Sequence, residues 1–241
     1  MSARAALVTG GSGGIGLAIA RALGHDGYGI TLSARRQEKL EQAAQRLRDE
    51  GLDIHSVAGD MTDEQDIKWV VAEHRERFGR LDVLINNAGI GIGAAVEDTE
   101  TKKLDLQLDV NLRAVYLVAR ESIPMLREAG AEHGKALMVN TASIAGKRGQ
   151  GGLAAYSATK FGVVGLSQGL HQELSGDGIQ VTALCPGFVA TPMTDWIEGE
   201  VPKDKMIQPE DIAESVLFLL RTSRHCLVPE VQFLRADGTE P

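Results

Sequence analysis

Thr9-Gly10-Gly11-Ser12-Gly13-Gly14-Ile15-Gly16 is the stretch on which the fold turns. Before it, residues 5–9 form a short apolar run that reads as a buried strand. After it, residues 15–23 carry the 3.6-residue spacing of a helix. A strand that turns through glycine straight into a helix leaves free backbone N–H groups at the helix start. Those groups, with the positive end of the helix dipole, attract an anion, and glycine lets a phosphate approach the backbone. A plain structural turn is the bland alternative, and the placement between strand and helix argues against it. No Gly-Lys-Ser/Thr closes the turn, so a P-loop is disfavoured.

Working outward, short apolar runs alternate with longer amphipathic ones. Strands are expected at Tyr28–Ala34, Ile54–Ala58, 83–85, 136–140, 180–184 and 228–234. Helices are expected at 37–50, Glu64–Phe78, 102–127, Ala154–Leu174 and Pro209–Arg221. The 102–127 helix is expected to bend or end near Pro124. Pro209 and Glu210 suit a first helical turn. Strict alternation with near-continuous apolar strands predicts a doubly wound α/β fold: a parallel sheet, seven strands counting the last, covered by helices on both faces. The 241 residues suit a single domain. The stretch 191–208 is the least regular and reads as a flexible flap over a site.

Composition narrows the function. Glycine supplies 28 of 241 residues, well above the usual ~7%. The net charge of -8 argues against a nucleic-acid surface. No apolar run reaches the ~18 residues of a membrane span. Cys185 and Cys226 give no disulfide framework, and the start MSARAALVTG shows no leader pattern, so a reduced, cytoplasmic protein is expected. The six histidines show no metal-ligand spacing, and no metal is expected.

The second strand ends Ser33-Ala34-Arg35-Arg36. An acidic residue there would grip the 2′-hydroxyl of NAD. Arg35 and Arg36 suit a 2′-phosphate instead, which guanidinium binds in bidentate geometry. NADP(H) is therefore expected over NAD(H). Farther on, Tyr156 and Lys160 lie four apart, on one face of a helix. A free phenol titrates near ~10. A neighbouring ammonium, aided by the cationic nicotinamide of an oxidised cofactor, would favour its phenolate and make it an acid/base near neutrality. Ser143, thirteen residues earlier, offers a hydroxyl for a substrate oxygen.

Together these motifs resemble the short-chain dehydrogenases/reductases, in their single-domain branch, over roughly residues 5–220. The glycine turn is similar to the family's Thr-Gly-x-x-x-Gly-x-Gly. Asp60, in Gly59-Asp60-Met61-Thr62, sits like the aspartate that binds the adenine amino group. Asn86-Asn87-Ala88-Gly89 resembles the turn after the fourth strand. Asn111, Ser143, Tyr156 and Lys160 resemble the catalytic tetrad, and Pro186-Gly187 with Thr191 the segment that meets the nicotinamide.

The resemblance implies a Rossmann-type fold and a set of roles. Gly10, Ser12, Gly13, Gly14, Ile15 and Gly16 would hold the cofactor, with Arg35, Arg36, Asp60, Met61, Asn87, Ala88 and Gly89. Tyr156, Lys160, Pro186, Gly187, Val189 and Thr191 would complete that site. Tyr156 would pass the proton, Lys160 would also bond the nicotinamide ribose, and Ser143 would polarise the substrate oxygen. Asn111 would bend its helix and help hold a water joining Lys160 to solvent. The expected activity is an NADP(H)-dependent oxidoreductase acting on a small or medium carbonyl or alcohol (CH–OH) substrate. A non-catalytic NADP(H)-binding redox sensor is the alternative from a different class. Val228-Pro229-Glu230-Val231 resembles the shorter endings of members acting on varied small alcohols and hydroxy acids, which argues against a fatty-acid ketoacyl reductase. Family members are commonly tetramers or dimers, so helices 102–127 and Ala154–Leu174 are expected to pack against copies of themselves.

Overall fold

The computed structural model describes residues 4–197, 199 and 201–236. The expected C-terminal segment therefore lies partly outside the described residues. The elements run β1 (Arg4–Thr9), α1 (Gly14–His25), β2 (Tyr28–Ala34), α2 (Gln37–Asp49), β3 (Ile54–Ala58), α3 (Glu64–Phe78), β4 (Val83–Asn86), α4 (Thr101–Leu108), α5 (Ala114–His133), β5 (Ala136–Thr141), α6 (Ala154–Leu174), β6 (Ile179–Pro186), α7 (Pro209–Arg221) and β7 (Glu230–Phe233). The seven strands form one sheet in the order β3-β2-β1-β4-β5-β6-β7. Every pairing is parallel.

Side chains alternate across each strand, so a strand covered on both faces is apolar throughout. Ala6, Val8, Ile30, Leu32, Ile85 and Val139 pack with α1, α2 and α7. Leu7, Leu84, Met138 and Val181 pack on the other face with α3, α5 and α6. The chain winds outward from β1 to β3, then crosses to β4 and winds the other way. Between β1 and β4 the crossovers diverge, which opens a crevice at the carboxyl ends of the strands.

Three expectations change. The 102–127 segment is not one helix. A π-helical turn at Asp109–Arg113 separates α4 from α5, and Asn111, expected to bend its helix, lies inside that turn. Pro124 neither ends nor begins a helix. It is exposed within α5, one turn after exposed Arg120, on the face of the helix where a missing backbone bond costs least. α5 runs on to His133 and stops at Gly134, whose φ of 71° makes a left-handed cap. Finally, the 191–208 stretch is not wholly irregular. It holds two short 3-10 turns, Pro192–Ile197 and Lys203–Lys205. Its base is tied by backbone bonds from Ala190 N to Ile207 O (2.8 Å) and Ile207 N to Phe188 O (3.0 Å).

Candidate active site

The glycine turn has the geometry of an anion cradle. Gly10 and Gly14 have φ of +67° and +53°, conformations that cost side-chain-bearing residues energy. A Cβ on Gly16 would lie 2.5 Å from Gly10 O, so α1 packs directly onto the turn. No side chain caps the α1 N-terminus, which leaves its first N–H groups for another acceptor. A Cβ on Gly13 would meet no neighbour nearer than Lys39 Nζ, at 3.9 Å. Ser12 and Ile15 are half-buried beside this space. Thr191, at the start of the 191–208 segment, closes it from another side, its Cγ2 3.0 Å from where a Gly14 Cβ would be. This cradle fits a pyrophosphate. Lys39 is a cation beside the turn that the motif reading did not single out. Its position one helical turn after Arg35 was the signal available.

Arg35 and Arg36 stand exposed at the carboxyl end of β2 and the start of α2. Asp60 Oδ1 accepts from Thr62 N and Thr62 Oγ1, both at 2.9 Å, which fixes its carboxylate at the rim. Met61 is buried behind it. Thr9, which the motif reading did not single out as a contact, organises the neighbouring turn. Its hydroxyl accepts from Asn87 N (3.0 Å) and Ala88 N (3.1 Å). Asn87 Nδ2 donates back to Thr9 O at 3.3 Å, and Thr141 donates to Asn87 Oδ1 at 3.3 Å. The glycine turn and the Asn87–Ala88–Gly89 turn are therefore one unit.

The four candidate catalytic residues come together next to that unit. α6 places Tyr156 and Lys160 on one side, with Lys160 Nζ 5.6 Å from the Tyr156 ring centre. Lys160 is buried and donates to Thr141 O at 2.8 Å. A Cβ on Gly89 would lie 3.5 Å from Lys160 Nζ and 3.4 Å from Asn111 Oδ1. The Ser143 side chain lies near enough to the Tyr156 hydroxyl to favour its phenolate. Ser143 in turn accepts from Ala145 N at 3.1 Å and donates to Pro186 O at 3.4 Å. Asn111 is fully buried. Its amide donates to Ile90 O (2.9 Å) and accepts from Ile90 N (2.8 Å). It also donates to Thr159 Oγ1 at 3.2 Å. Gly187 N donates to Phe233 O at 2.9 Å, while Val189 is buried. Both precede Thr191 along one wall of the crevice.

Burial dominates the electrostatics. It raises the Tyr156 phenol above the ordinary tyrosine value, and the Ser143 side chain lowers it only in part. It depresses the Lys160 amine to about 8. Lys160 by itself thus does not deliver the low phenol expected from spacing. Among the described residues no group of three His, Cys, Asp or Glu is arranged to hold a metal. Among the described residues no helix is long and apolar enough to cross a membrane.

A family model described as short chain dehydrogenase matches residues 4–201. The chain belongs to the short chain dehydrogenase family. Within it, a Streptomyces coelicolor protein carrying the provisional name ketoacyl reductase is 39% identical over 89% of each chain. A crystal structure of a variant actinorhodin polyketide ketoreductase with NADPH has a TM-score of 0.89 at 32% identity, covering 98% of this chain and 97% of that one. The X-ray structure of an alcohol dehydrogenase from the archaeon Thermococcus sibiricus, complexed with 5-hydroxy-NADP, has a TM-score of 0.87 at 30% identity, covering 99% and 98%. Family membership makes this short chain dehydrogenase a nicotinamide-dependent oxidoreductase.

Proposed function

We propose that the chain is an NADP(H)-dependent carbonyl reductase or alcohol dehydrogenase, with Tyr156 as its general acid/base. The observation that carries this is the buried Lys160 amine, 5.6 Å from the Tyr156 ring centre and donating to Thr141 O at 2.8 Å, at the mouth of an uncapped glycine cradle. When bound, the nicotinamide supplies or takes the hydride and, oxidised, adds a positive charge. Ser143 and Tyr156 both hold a substrate oxygen, and Tyr156 gives that oxygen its proton during reduction. In the alcohol direction the same phenol oxygen takes the proton back. Lys160 stabilises the phenolate by charge. Asn111 holds the 90-segment against this group, and its family role toward a bound water is part of the proposal.

Support for NADP(H) comes from Arg35 and Arg36 at the carboxyl end of β2, with Lys39 near the turn, and from the NADP-type ligands of the two structural neighbours above. An Arg35→Ser variant should bind NADPH about thirtyfold more weakly, near 2 kcal/mol, with NADH affinity almost unchanged. Equal losses for both would remove Arg35 from phosphate recognition. The substrate is a small or medium ketone, aldehyde or alcohol. Cβ atoms on Gly149, Gly151 and Gly152 would meet nothing within 4 Å, so the loop that leads into α6 is not packed tightly at these positions. The relative named ketoacyl reductase counts against the ending-based argument, so acyl-chain ketones belong in the screen. The test is loss of reduced-nicotinamide absorbance across a carbonyl panel with NADPH. Tight NADPH binding without turnover on any compound would favour the redox-sensor reading.

The same reading includes packing between copies in a dimer or tetramer. Leu106 and Leu108 on α4, Tyr116 on α5 and Phe161 on α6 are large apolar side chains left exposed on the helices expected to self-associate. Light scattering at the mass of one 25.8 kDa chain would contradict it.

A further inference from the structure

The 90–94 segment follows β4 without joining the sheet, and its alternate N–H groups are all taken. Ile90 N donates to Asn111 Oδ1 at 2.8 Å. Ile92 N donates to Gln107 Oε1 at 3.2 Å. Ala94 N donates to Gly152 O at 2.8 Å. Residues two apart on extended backbone are spaced by about 6.7 Å. Gln107, in the last turn of α4, and Asn111, in the π-helical turn that follows, lie four residues apart on the facing segment. Gln107 and Asn111 therefore match Ile92 and Ile90 in antiparallel order, and two side-chain amides replace a neighbouring strand. The residues between face the chemistry. A Cβ on Gly91 would lie 4.0 Å from Tyr156 Cε2, and one on Gly93 would lie 3.5 Å from Leu153 Cδ2.

Gln107 is an expensive residue for this place. It is 1% exposed, and its Nε2 is buried with no partner among the described residues. An unmade buried donor costs stability that an apolar side chain of similar size would not. What Gln107 provides in return is an acceptor for Ile92 N, which leucine or methionine cannot supply.

We propose that Gln107 is a second positioning residue. Its amide oxygen fixes the 90–94 segment as the wall beside Tyr156 and so sets how a carbonyl substrate is presented to the phenol. The proposal rests on the reading of Tyr156 as the proton donor. The experiment compares Gln107→Leu, which removes the acceptor, with Gln107→Glu, which keeps one. Gln107→Leu should raise KM for the best carbonyl at least about tenfold, with kcat changed less than about threefold and NADPH affinity unchanged. Hydrogen exchange at amides 90–94 should quicken in that variant alone, and Gln107→Glu should restore both readouts.

Unchanged KM and exchange in Gln107→Leu would overturn the proposal. So would a parallel fall in kcat, substrate affinity and NADPH affinity with exchange quickened across the sheet, which marks a merely structural role. A folded Gln107→Glu behaving like Gln107→Leu would overturn it as well. Failure of the underlying reading shows separately: Tyr156→Phe would then keep its turnover, and exchange at 90–94 would decide the case of Gln107.

Discussion

Tyr28 and Tyr156 sit at opposite ends of the same sheet, and burial pushes both phenols above the ordinary tyrosine value. Tyr28 begins β2 at the amino end, only 2% exposed. Its hydroxyl accepts from Arg4 at 2.9 Å, and the Arg4 guanidinium also stacks over its ring. Even so its phenol is raised to about 12. A cation in contact does not make a buried phenol reactive when desolvation is the larger effect. Tyr156 differs in its surroundings. Its partner is a hydroxyl, Ser143, that can share a substrate oxygen, and its cation is an amine brought down to about 8. Gly91 lies alongside it, with its Cβ position 4.0 Å from Tyr156 Cε2.

The polar groups around the two phenols differ in the same sense. At the amino end they are closed on each other. The Asp82 carboxylate takes Ala5 N at 2.8 Å, and Arg80 Nε and Nη2 at 2.9 and 2.7 Å. His74 bridges Thr31 Oγ1 at 2.8 Å and Arg80 O at 2.9 Å. At the carboxyl end, helix N–H groups stay uncapped. One end is built to hold the sheet, the other to receive a ligand.

The largest break in this comparison should come at Lys160. Lys160→Met keeps the length of the side chain and removes the charge. It should lower kcat/KM by about a thousandfold, measured by reduced-nicotinamide absorbance, with the melting temperature little changed. A loss under tenfold would mean that the ammonium is dispensable. The wild-type profile should also carry its mark: kcat/KM for reduction should decline above about pH 8, where the depressed amine loses its proton.

At the other end, titration should be felt in stability. Burial lowers His74 from 6.5 to about 4, so the unfolded chain takes up its proton first as pH falls. The stability from keeping His74 neutral is whole above pH 6.5 and is lost between 6.5 and 4. It amounts to about 3 kcal/mol, at roughly 1.4 kcal/mol per pKa unit. Urea unfolding at several pH values should show wild type losing more over that range than His74→Gln. Parallel slopes would remove His74 from the acid limb. Smallest of all, Tyr28→Phe should cost about 1 kcal/mol and leave kcat/KM within about twofold. A large loss of activity there would erase the distinction between the two phenols.

The fold was legible because its signals were local. A glycine turn between an apolar strand and a helix, repeated β–α alternation and the helix-start chemistry at Pro209 each depend on neighbours in sequence. The closure of that last helix by Asp211, whose carboxylate accepts from Gln208 N at 2.8 Å, was nearly as local. Pro124 does not end its helix, because a proline on an exposed helix face can be accommodated, and exposure is a tertiary fact. Spacing and the family resemblance named the candidate site residues, but not their electrostatics. Spacing places an amine near a phenol; only burial says that both are pushed towards neutrality. Gln107 and Lys39 escaped because neither carries a motif. Their meaning lies in a loop 15 residues earlier and a turn 26 residues earlier.

The central claim is that the Tyr156 oxygen, and no other group, moves the proton. Tyr156→Phe leaves the glycine cradle and Lys160 in place while removing that oxygen. Its NADPH affinity, followed by fluorescence of the bound nucleotide, should match wild type within about twofold. Its single-turnover reduction of the best carbonyl should slow by at least about a thousandfold. A Tyr156→Phe protein that binds NADPH normally and keeps a tenth or more of the wild-type rate would contradict the account.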